Sequence, residues 1–490
     1  MIGITAYGAY IPRTRLSRQA MLKSTGWLNP ALFSNAGGTR SVANWDEDAV
    51  TMAVAAANNC IRQLDASRVD SIYFASPSAP FKLRLNSSIV ASALGLNEEI
   101  NAVDISSSRR CGISALVQAY NQVSRADNGA LVVASDIPPN RAGTAGELMS
   151  GDAAAALLLG SDNVVAEIVG NHCETVDFVD AYQGATDETG HQWEDRWIRD
   201  EGHFKLIPRA IGRLLEKTGT VAESIDRFIC PVPGHGTTAK LGKMLGIRPD
   251  AIADNLFLAC GDSRCAQPLL LLCQALEVAE PGQLILVAAF GQGTEAVLLR
   301  TTDACKNFKT HSSVADQLAG GAEESNYFKY LVFRDRVDWD KESRGPVDSP
   351  TLLSSHYRDR QFLDNLRGLH CAETRQTFFG SEAAYKARQA DGEFRWRSFT
   401  NSSAKLLSYS ANYLGVSLEP AICTGIIEFD EGGRLIVDLT EANPQELGVG
   451  AKVEMSYRIH GVDASKGFTR YFWKAKSVHA IEDATGDDQQ

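Results

Sequence analysis

The chain has 490 residues, of which 44% are apolar and 22% are charged. This length suits about three domains, or one large duplicated unit with a smaller one. Glycine and proline occur 41 and 16 times, which is near average usage and excludes collagen-like and mainly disordered chains. The net charge of −12 argues against a general binder of nucleic acid or anionic membrane, although a local basic groove for an anionic small molecule is compatible with it.

The ten cysteines are scattered and form no Cys-x-x-Cys pair, which predicts reduced thiols rather than a disulfide framework. No pattern of cysteine and histidine has metal-ligand spacing. The amino-terminal residues lack the apolar core of a signal peptide, and the longest apolar stretch, near residues 269–273, is too short for a bilayer. We therefore expect a cytoplasmic chain without a metal or a resident cofactor.

The first 160 residues alternate short apolar runs with helical patterns. Strands are predicted at residues 71–76, 101–105, 130–135 and 153–159, and helices at 84–94 and 111–123. Strands that alternate with helices predict a mostly parallel sheet covered by helices, so the fold class is α/β.

The same order of elements returns in the next 140 residues. The predicted strands are residues 227–230, 256–260, 284–289 and 296–300, and the predicted helices are 238–245 and 265–276. Cys111 precedes Leu131 by about 20 residues, as Cys265 precedes Leu284, and a Ser-Arg string stands before each cysteine. This predicts a duplicated α/β/α/β/α body in five layers, whereas a duplicated Rossmann fold lacks its glycine motif after the first strand.

The remaining residues predict a separate small domain. An extended pattern covers residues 326–340 and a helical pattern covers 349–367, after which five short apolar runs alternate with glycine-bearing turns up to residue 475. Such strands indicate a small barrel, for which the OB-fold is the leading choice. The predicted domains are residues 1–165 and 166–305 for the two halves, 306–350 for a linker, 351–480 for the OB-fold-like domain and 481–490 for a disordered acidic tail.

Cys111 is the sharpest candidate for chemistry. It is predicted to open a helix, where unpaired N–H groups and the positive end of the helix dipole favour the thiolate. Arg109 and Arg110 add positive charge and are candidate substrate contacts, while Gly112 allows a close approach to the backbone. Such a thiolate can accept an acyl group from a thioester. A buried cysteine that packs a helix start is an equally good interpretation of the position alone.

Other residues could complete a site around this thiol. Gly291 and Gly293 follow a strand and can aim N–H groups at an oxyanion, although a tight turn is the commoner use of such a loop. His235, in a loop after a strand, is a candidate general base. Asp262 is a candidate catalytic carboxylate, although a helix cap is the more frequent role.

Two further positions concern charge on helices. Lys240 and Lys243 are candidate contacts for a phosphate-bearing cofactor arm, with a solvated helix face as the simpler interpretation. The acidic residues in the segment 44–48 stand where a helix begins, and we interpret them as caps rather than as a catalytic pair.

Residues 1–300 resemble the thiolase superfamily, and within it the hydroxymethylglutaryl-CoA synthases and ketoacyl-carrier-protein synthase III, with the archaeal-type synthases closest. The matching stretches are residues 2–12 (IGITAYGAYIP), 45–56 (WDEDAVTMAVAA), 142–155 (AGTAGELMSGDAAA), 243–246 (KMLG) and 290–293 (FGQG). Residues 326–478 resemble the acyl-CoA-associated OB-fold family, whose zinc ribbon is reduced here to Cys371. The resemblance implies acyl-CoA or an acyl-carrier thioester as partner, and a homodimer formed by extending the central sheet.

The resemblance carries over only in part. The family's nucleophilic cysteine falls on Cys111, and its oxyanion loop falls on Gly291 and Gly293. The family's glutamate is absent from the string Ser76-Pro77-Ser78, and its histidine falls on Pro231, four residues before His235. Its asparagine falls on Asp262, which replaces a donor by an acceptor when ionised.

These features favour three functions, in decreasing order. The first is an acyl-thioester-dependent, C–C bond-forming acyltransferase that acylates Cys111. The second is a retro-aldol lyase for a β-hydroxyacyl-CoA, which needs no acylated cysteine. The third is a non-catalytic subunit that binds acyl-CoA.

Overall fold

Short runs of alanine, valine and leucine become the central strands because both of their faces are buried. The computed structural model describes residues 1–123, 129–340, 350 and 352–478, divided into one unit of Met1–Val337 and another of Asp338–Gln490. The predicted tail 481–490 lies outside the described residues.

The strands of the first unit are β1 (Gly3–Tyr10), β2 (Thr14–Ser17), β3 (Thr39–Val42), β4 (Val69–Ala75), β5 (Asn101–Ile105), β6 (Gly129–Asp136), β7 (Ala153–Gly160), β8 (Ala166–Thr175), β9 (Ala181–Tyr182), β10 (His191–Gln192), β11 (Arg227–Ile229), β12 (Leu284–Phe290), β13 (Gly293–Thr301) and β14 (Ala322–Glu324). Its helices are α1 (Arg18–Thr25), α2 (Ala49–Ile61), α3 (Asn86–Ala93), α4 (Cys111–Val123), α5 (Ala145–Met149), α6 (Asp195–Trp197), α7 (Phe204–Thr218), α8 (Thr237–Leu245), α9 (Gln267–Glu277), α10 (Val314–Ala319) and α11 (Tyr327–Phe333).

Nine of these strands form one sheet in the order β11-β12-β13-β8-β1-β7-β6-β4-β5. Strands β4, β5 and β6 run parallel to one another, and β7 returns antiparallel to β6. In the second half, β11 and β12 are parallel and β13 is antiparallel to β12. The two halves meet where β1 pairs with β8, so the predicted duplication is present as two strand sets in one continuous sheet.

Helices cover this sheet in layers. The apolar faces of α4 and α9 share one buried core with strands of both halves, while α7 packs a second core against β12 and β13. Helix α2, on the opposite side, is buried along almost its whole length and begins with Asp48 accepting from the N–H groups of Val50 and Thr51. The interpretation of this acidic segment as a cap is confirmed for Asp48.

Three sequence predictions differ from the structure. Residues 256–260 form turns instead of a strand, because Leu256 has a φ of 57° that strand backbone does not allow. The extended pattern predicted for 326–340 contains α11, capped by Asn326. The segment 306–337, predicted as part of a linker, belongs to the first unit.

Buried charge explains why this last segment is fixed to the first unit. Tyr330 of α11 accepts from Arg40, whose guanidinium lies 3.6 Å from buried Asp152, and Arg334 also pairs with Asp152. The hydroxyl of Tyr327 donates to buried Glu147 at 2.8 Å. Because unpaired buried charges are costly, these contacts hold α11 against the body.

The second unit contains α12 (Leu353–Asn365), β15 (Arg367–His370), β16 (Thr377–Phe379), α13 (Ala383–Ala387), β17 (Arg395–Ser398), β18 (Ala404–Asn412), β19 (Ile422–Phe429), β20 (Arg434–Asp438), β21 (Lys452–Asp463) and β22 (Phe468–Ser477). The five predicted strands are all present, in the antiparallel order β20-β19-β18-β21-β22. A parallel bridge between Leu439 and Ala475 brings the two edges of this sheet together. Within the described ranges, no helix is long and apolar enough to cross a membrane.

Candidate functional site

Cys111 is the first residue of α4, as predicted, and only 1% of it is exposed. Its N–H donates to the carbonyl of Ser108 at 3.2 Å. A Cβ on Gly112 would lie 2.3 Å from the carbonyl oxygen of Cys265, so the backbone of the first half touches that of the second at this point. The thiol therefore lies at the junction of the two repeats.

The thiol of Cys265 is the immediate neighbour of Cys111. It hydrogen-bonds the Cys111 thiol and the carboxyl group of Asp136, and burial raises the pKa of the Cys265 thiol well above its usual range. It also lies within reach of the carbonyl oxygens of Ala75 and Ser135. Cys265 is thus enclosed and kept as a neutral thiol, in contrast to a helix-initiating cysteine.

A small cavity of about 40 Å³ is lined by residues of both repeats. It is lined by Arg109, Asp180, His203, Pro231, Val232, Pro233, Asp262, Arg264, Pro268, Ala289 and Phe290. Cys111 is not among these residues. The lining includes Arg109, which stands two residues before Cys111, and Arg264, which stands one residue before Cys265.

His203 lines this cavity and was not predicted from the sequence. It ends a π-helical turn, Ile198–His203, directly before α7, and π-helical turns are frequent at functional sites. Only 5% of His203 is exposed, and its Nδ1 is buried with no hydrogen-bond partner among the described residues. Burial, aided by the charges of Arg109 and Arg199, lowers the pKa of His203 to about 4, so the imidazole is neutral. The only sequence signal was a Gly-His pair before an amphipathic helix.

Aromatic packing fixes the position of this imidazole. The ring of His203 meets the ring of Phe290 edge-on, with centroids 4.9 Å apart. A Cβ on Gly202 would lie 2.8 Å from Phe290 and 3.0 Å from Phe178, so only glycine lets the turn approach this closely. Phe178 stacks in turn on Trp197 at 4.0 Å. The imidazole is therefore held between α7 and the end of β12.

Asp262 lines the same cavity, as the sequence placed it beside the second helix start. Its Oδ1 accepts from the N–H of Arg264 at 2.8 Å within the turn that precedes α9, whereas the N-cap position of that helix is Ala266, so Asp262 is not the helix cap given above as the alternative. Burial raises the pKa of Asp262, while that N–H and the charges of Arg264 and Arg109 oppose the rise. The carboxyl group thus caps a turn and faces the cavity at the same time.

A second buried carboxyl group, Asp136 at the end of β6, was also missed. It accepts from the hydroxyl of Ser78 at 2.8 Å, within the string where the resemblance placed no carboxylate. Burial raises the pKa of Asp136 to about 6, against the opposing charge of Arg264. Burial likewise lowers the pKa of Arg264 to about 10. A carboxyl group is therefore present near the predicted nucleophile, but it comes from a different strand.

The two arginines before Cys111 have different environments. Arg110 donates to the carbonyl oxygen of Gly291 at 2.9 Å, to Glu295 at 3.2 Å and to the side chains of Cys173 and Thr175. These contacts occupy its guanidinium within the protein, and the substrate contact of Arg110 stays a prediction. Arg109 lines the cavity and lies 3.9 Å from Asp180, which leaves it the better candidate for substrate.

The predicted oxyanion loop packs against the segment before Cys111. Gly291 lies so close that a Cβ would be 2.8 Å from the hydroxyl of Ser108, and its N–H donates to the carbonyl of Gly293. Gly293 has a φ of 112° and leaves no space for a Cβ beside the carbonyl oxygen of Glu174. Backbone packing alone accounts for both glycines, and their role as oxyanion donors stays a prediction.

The structure does not bring the remaining predicted residues to the cavity. His235 is exposed in the turn before α8, two residues beyond Pro233 of the lining. Lys240 lies over the ring of Phe204 at 4.0 Å, and Lys243 is exposed on the same helix. No cluster of three or more metal-ligating side chains occurs in the part of the chain that the structure describes.

Comparisons with known proteins agree with this geometry. Residues 215–301 match the family model described as 3-oxoacyl-[acyl-carrier-protein (ACP)] synthase III C terminal. The chain is 27% identical to the hydroxymethylglutaryl-CoA synthase of Archaeoglobus fulgidus over 340 residues, which are 68% of this chain and 97% of that protein. It is also 27% identical to the enzyme of the same name from Methanobrevibacter smithii, over 69% of this chain and 99% of that protein.

Solved structures show the same fold. An HMG-CoA synthase complexed with CoA superposes with a TM-score of 0.60 at 17% identity, covering 71% of this chain and 94% of that chain. The 3-oxoacyl-[acyl-carrier-protein] synthase III of Aquifex aeolicus superposes with a TM-score of 0.55 at 20% identity, covering 61% of this chain and all of that chain.

The fold is thiolase-like, which confirms the predicted α/β fold class for the part of the chain that these structures cover. The chain is similar to proteins named hydroxymethylglutaryl-CoA synthase over almost their whole length, and its residues 215–301 are similar to the C-terminal part of 3-oxoacyl-[acyl-carrier-protein] synthase III. The OB-fold resemblance of the second unit stays a prediction.

Proposed function

We propose that this protein is an acyl-CoA-dependent condensing acyltransferase whose nucleophile is Cys111. The observation that carries the proposal is the position of Cys111 at the start of α4, against the backbone of the second repeat and two residues after Arg109, which lines a polar cavity. Its relatives named hydroxymethylglutaryl-CoA synthase support the same reaction class.

The first half-reaction transfers an acyl group to the thiol. The Cys111 sulfur attacks the thioester carbonyl, a new C–S bond forms, the bond to CoA breaks, and CoA leaves as its thiol with the proton from Cys111. The attack requires the Cys111 sulfur to give up its proton as the C–S bond forms. In the second half-reaction, a carbon nucleophile forms the C–C bond inside the cavity.

Acyl-CoA is the proposed partner, and an acyl-carrier thioester is the alternative carrier. Arg109, which lines the cavity, is the proposed substrate contact, and Lys243 on α8 is an exposed cation for the phosphates of CoA. One of the similar structures is an HMG-CoA synthase complexed with CoA, and another is an HMG synthase of curacin biosynthesis in complex with a donor acyl carrier protein.

Three further expectations belong to this proposal. A homodimer is supported by β5, which forms one edge of the nine-stranded sheet. An OB-fold in the second unit is supported by the five-stranded order and the bridge that joins its edges. A cytoplasmic location is supported by the ten cysteines, all of which are free thiols.

The test uses the full chain and a panel of acetyl-, propionyl-, malonyl- and acetoacetyl-CoA. We expect a rapid release of free CoA, about one equivalent per chain, together with an increase of intact mass by one acyl group. Turnover of a β-hydroxyacyl-CoA without any acylated chain would instead support the retro-aldol lyase. Binding of CoA esters without acylation or turnover would support the non-catalytic subunit.

A further inference from the structure

The buried imidazole of His203 has no role in the reaction as described so far. It belongs to neither predicted histidine position, since the family's histidine falls on Pro231 and the nearest alternative, His235, is exposed. Pro231 and His203 nevertheless line the same cavity, from two different segments of the chain. A proline side chain has no polar hydrogen, so the imidazole function must come from elsewhere if the cavity uses one.

The polar atoms of this cavity leave one nitrogen unsatisfied. Nδ1 of His203 is buried without a partner among the described residues, although buried polar atoms are normally hydrogen-bonded. The carboxyl groups of the cavity are occupied elsewhere, since Asp180 accepts from Gln292 at 2.7 Å and Asp262 accepts from Arg264. His203 thus lines the cavity while its imidazole keeps hydrogen-bonding capacity that no described residue uses, which leaves the ring available to a group that arrives with the substrate.

The charges around His203 determine whether its imidazole is neutral or protonated. Two cations, Arg109 and Arg264, and two carboxyl groups, Asp180 and Asp262, line the same cavity. Arg199 lies near on the π-helical turn and pairs with Asp200. Because burial and the nearby arginines disfavour a further positive charge, His203 is a neutral imidazole. A neutral imidazole donates one N–H and accepts at its other nitrogen.

We propose that His203 donates a hydrogen bond to the carbonyl oxygen that is attacked when the C–C bond forms. As the enolate carbon bonds to the carbonyl carbon, the electron pair of the C=O bond moves onto oxygen, where the N–H of His203 stabilises it. If the attacked carbonyl is the acyl thioester on Cys111, the oxyanion returns its electron pair and the Cys111 thiolate leaves. If the carbonyl is a ketone of the second substrate, the nucleophile is the α-carbon of the acyl group on Cys111 after it has lost a proton, and the ketone oxygen takes a proton from solvent. The product stays on Cys111 as a thioester until water hydrolyses it to a carboxylic acid and the free Cys111 thiol.

The size of the cavity agrees with such a group. A volume of about 40 Å³ has room for roughly three water-sized groups. This suits a carbonyl oxygen with one or two neighbouring carbon atoms. The edge-on contact with Phe290 fixes the ring in advance, so little reorganisation is required when the charge develops.

This inference rests on the proposed function, so its test separates the two half-reactions. The acylation of Cys111 is followed by intact mass with acetyl-CoA alone, and condensation is followed by the loss of that acyl mass on addition of malonyl- or acetoacetyl-CoA. For His203→Ala we expect acylation within about threefold of the unaltered protein, and condensation slower by about 10²–10³-fold, as for removal of one oxyanion donor.

Two further variants make the role specific. His203→Gln keeps an N–H donor in the cavity and is expected to recover part of the condensation rate, and free imidazole is expected to accelerate the His203→Ala protein. A residue needed only for packing would respond to neither. His235→Ala tests the rival position, and we expect condensation within about twofold of the unaltered protein because this side chain is exposed outside the cavity.

Condensation by His203→Ala at the unaltered rate would overturn the inference, as would a loss of condensation in His235→Ala alone. In either case, acylation of Cys111 would still support the proposed function. Failure of the unaltered protein to acylate at all would overturn the proposed function itself.

Discussion

The two repeats use the same backbone position for different chemistry. In the first repeat, α4 opens with Cys111, and Arg109 of the preceding loop reaches the cavity. In the second repeat, the corresponding loop supplies Asp262 and Arg264 to the cavity, while Cys265 is enclosed two residues before α9 begins. The segments that precede α4 and α9 therefore meet. The first repeat supplies the proposed nucleophile, and the second supplies polar side chains of the cavity.

The largest expected effect comes from exchanging these two cysteines for alanine. Cys111→Ala removes the proposed nucleophile and should lower acyl-CoA turnover by about 10³-fold or more, as expected for a covalent catalyst. Cys265→Ala removes a thiol that does not begin a helix and whose pKa is raised by burial, so it should keep acylation within about tenfold. Release of CoA measures both. Equal losses in the two variants would contradict the division of roles.

The two arginines before Cys111 should separate stability from activity. Arg110→Ala leaves Glu295 buried without its charge partner, so we expect a loss of about 3–5 kcal/mol in the free energy of unfolding. Arg109→Ala breaks a longer, partly exposed contact with Asp180 and should cost about 1 kcal/mol, but slow the reaction. Urea unfolding with CoA-release assays measures both. A more stable Arg110→Ala protein would contradict a stabilising role for the ion pair between Arg110 and Glu295.

His203 and Asp136 should make opposite contributions to stability as the pH falls. The pKa of His203 moves from 6.5 to about 4 on folding, so its contribution is complete above pH 6.5 and is lost as the pH falls toward 4. The pKa of Asp136 moves from 3.8 to about 6, so its contribution is complete below pH 3.8 and is lost as the pH rises through 6. Each shift corresponds to about 3 kcal/mol at most.

Two variants therefore change the pH dependence in opposite directions. Between pH 7 and pH 4, the free energy of unfolding should fall less in His203→Gln than in the unaltered protein, and more in Asp136→Asn. Urea titrations at several pH values check the difference. Parallel pH profiles for all three proteins would show that these groups do not titrate as their burial implies.

The smallest effect concerns the surface of α8. Lys243→Ala should raise KM for an acyl-CoA about two- to fivefold, because one exposed charge contributes little. An acyl-pantetheine substrate without the nucleotide serves as the control and should show no change. A rise in KM with both substrates would remove Lys243 from the phosphate contact.

The sequence predicted the repeated elements because their apolar periodicity is strong and local. Strand β5 and helix α4 have the predicted bounds. The segment 306–337 was misjudged because its short helices are fixed by distant partners, such as the contact of Tyr330 with Arg40. A capping box at Ser313 and Asp316 was a local signal that favoured a helix there.

The candidate site was predictable only where a residue follows a regular element. Cys111 and Asp262 stand at the ends of predicted elements, so topology brings them together. His203 lies after an irregular segment between β8 and α7, and a π-helical turn sets the direction of its side chain. In the sequence, Asp136 is an ordinary residue at the end of a strand. Only the tertiary structure brings Ser78 and Arg264 close to it. Neither position has a sequence period that could reveal it.

The most direct test locates the acyl group on one of the two facing cysteines. The full chain is mixed with isotope-labelled acetyl-CoA, quenched in acid and digested, and the labelled peptide is identified by mass. The prediction is that the label lies on the peptide that contains Cys111 and that the peptide that contains Cys265 carries none. Label on Cys265, or product formation with no labelled peptide, would contradict it.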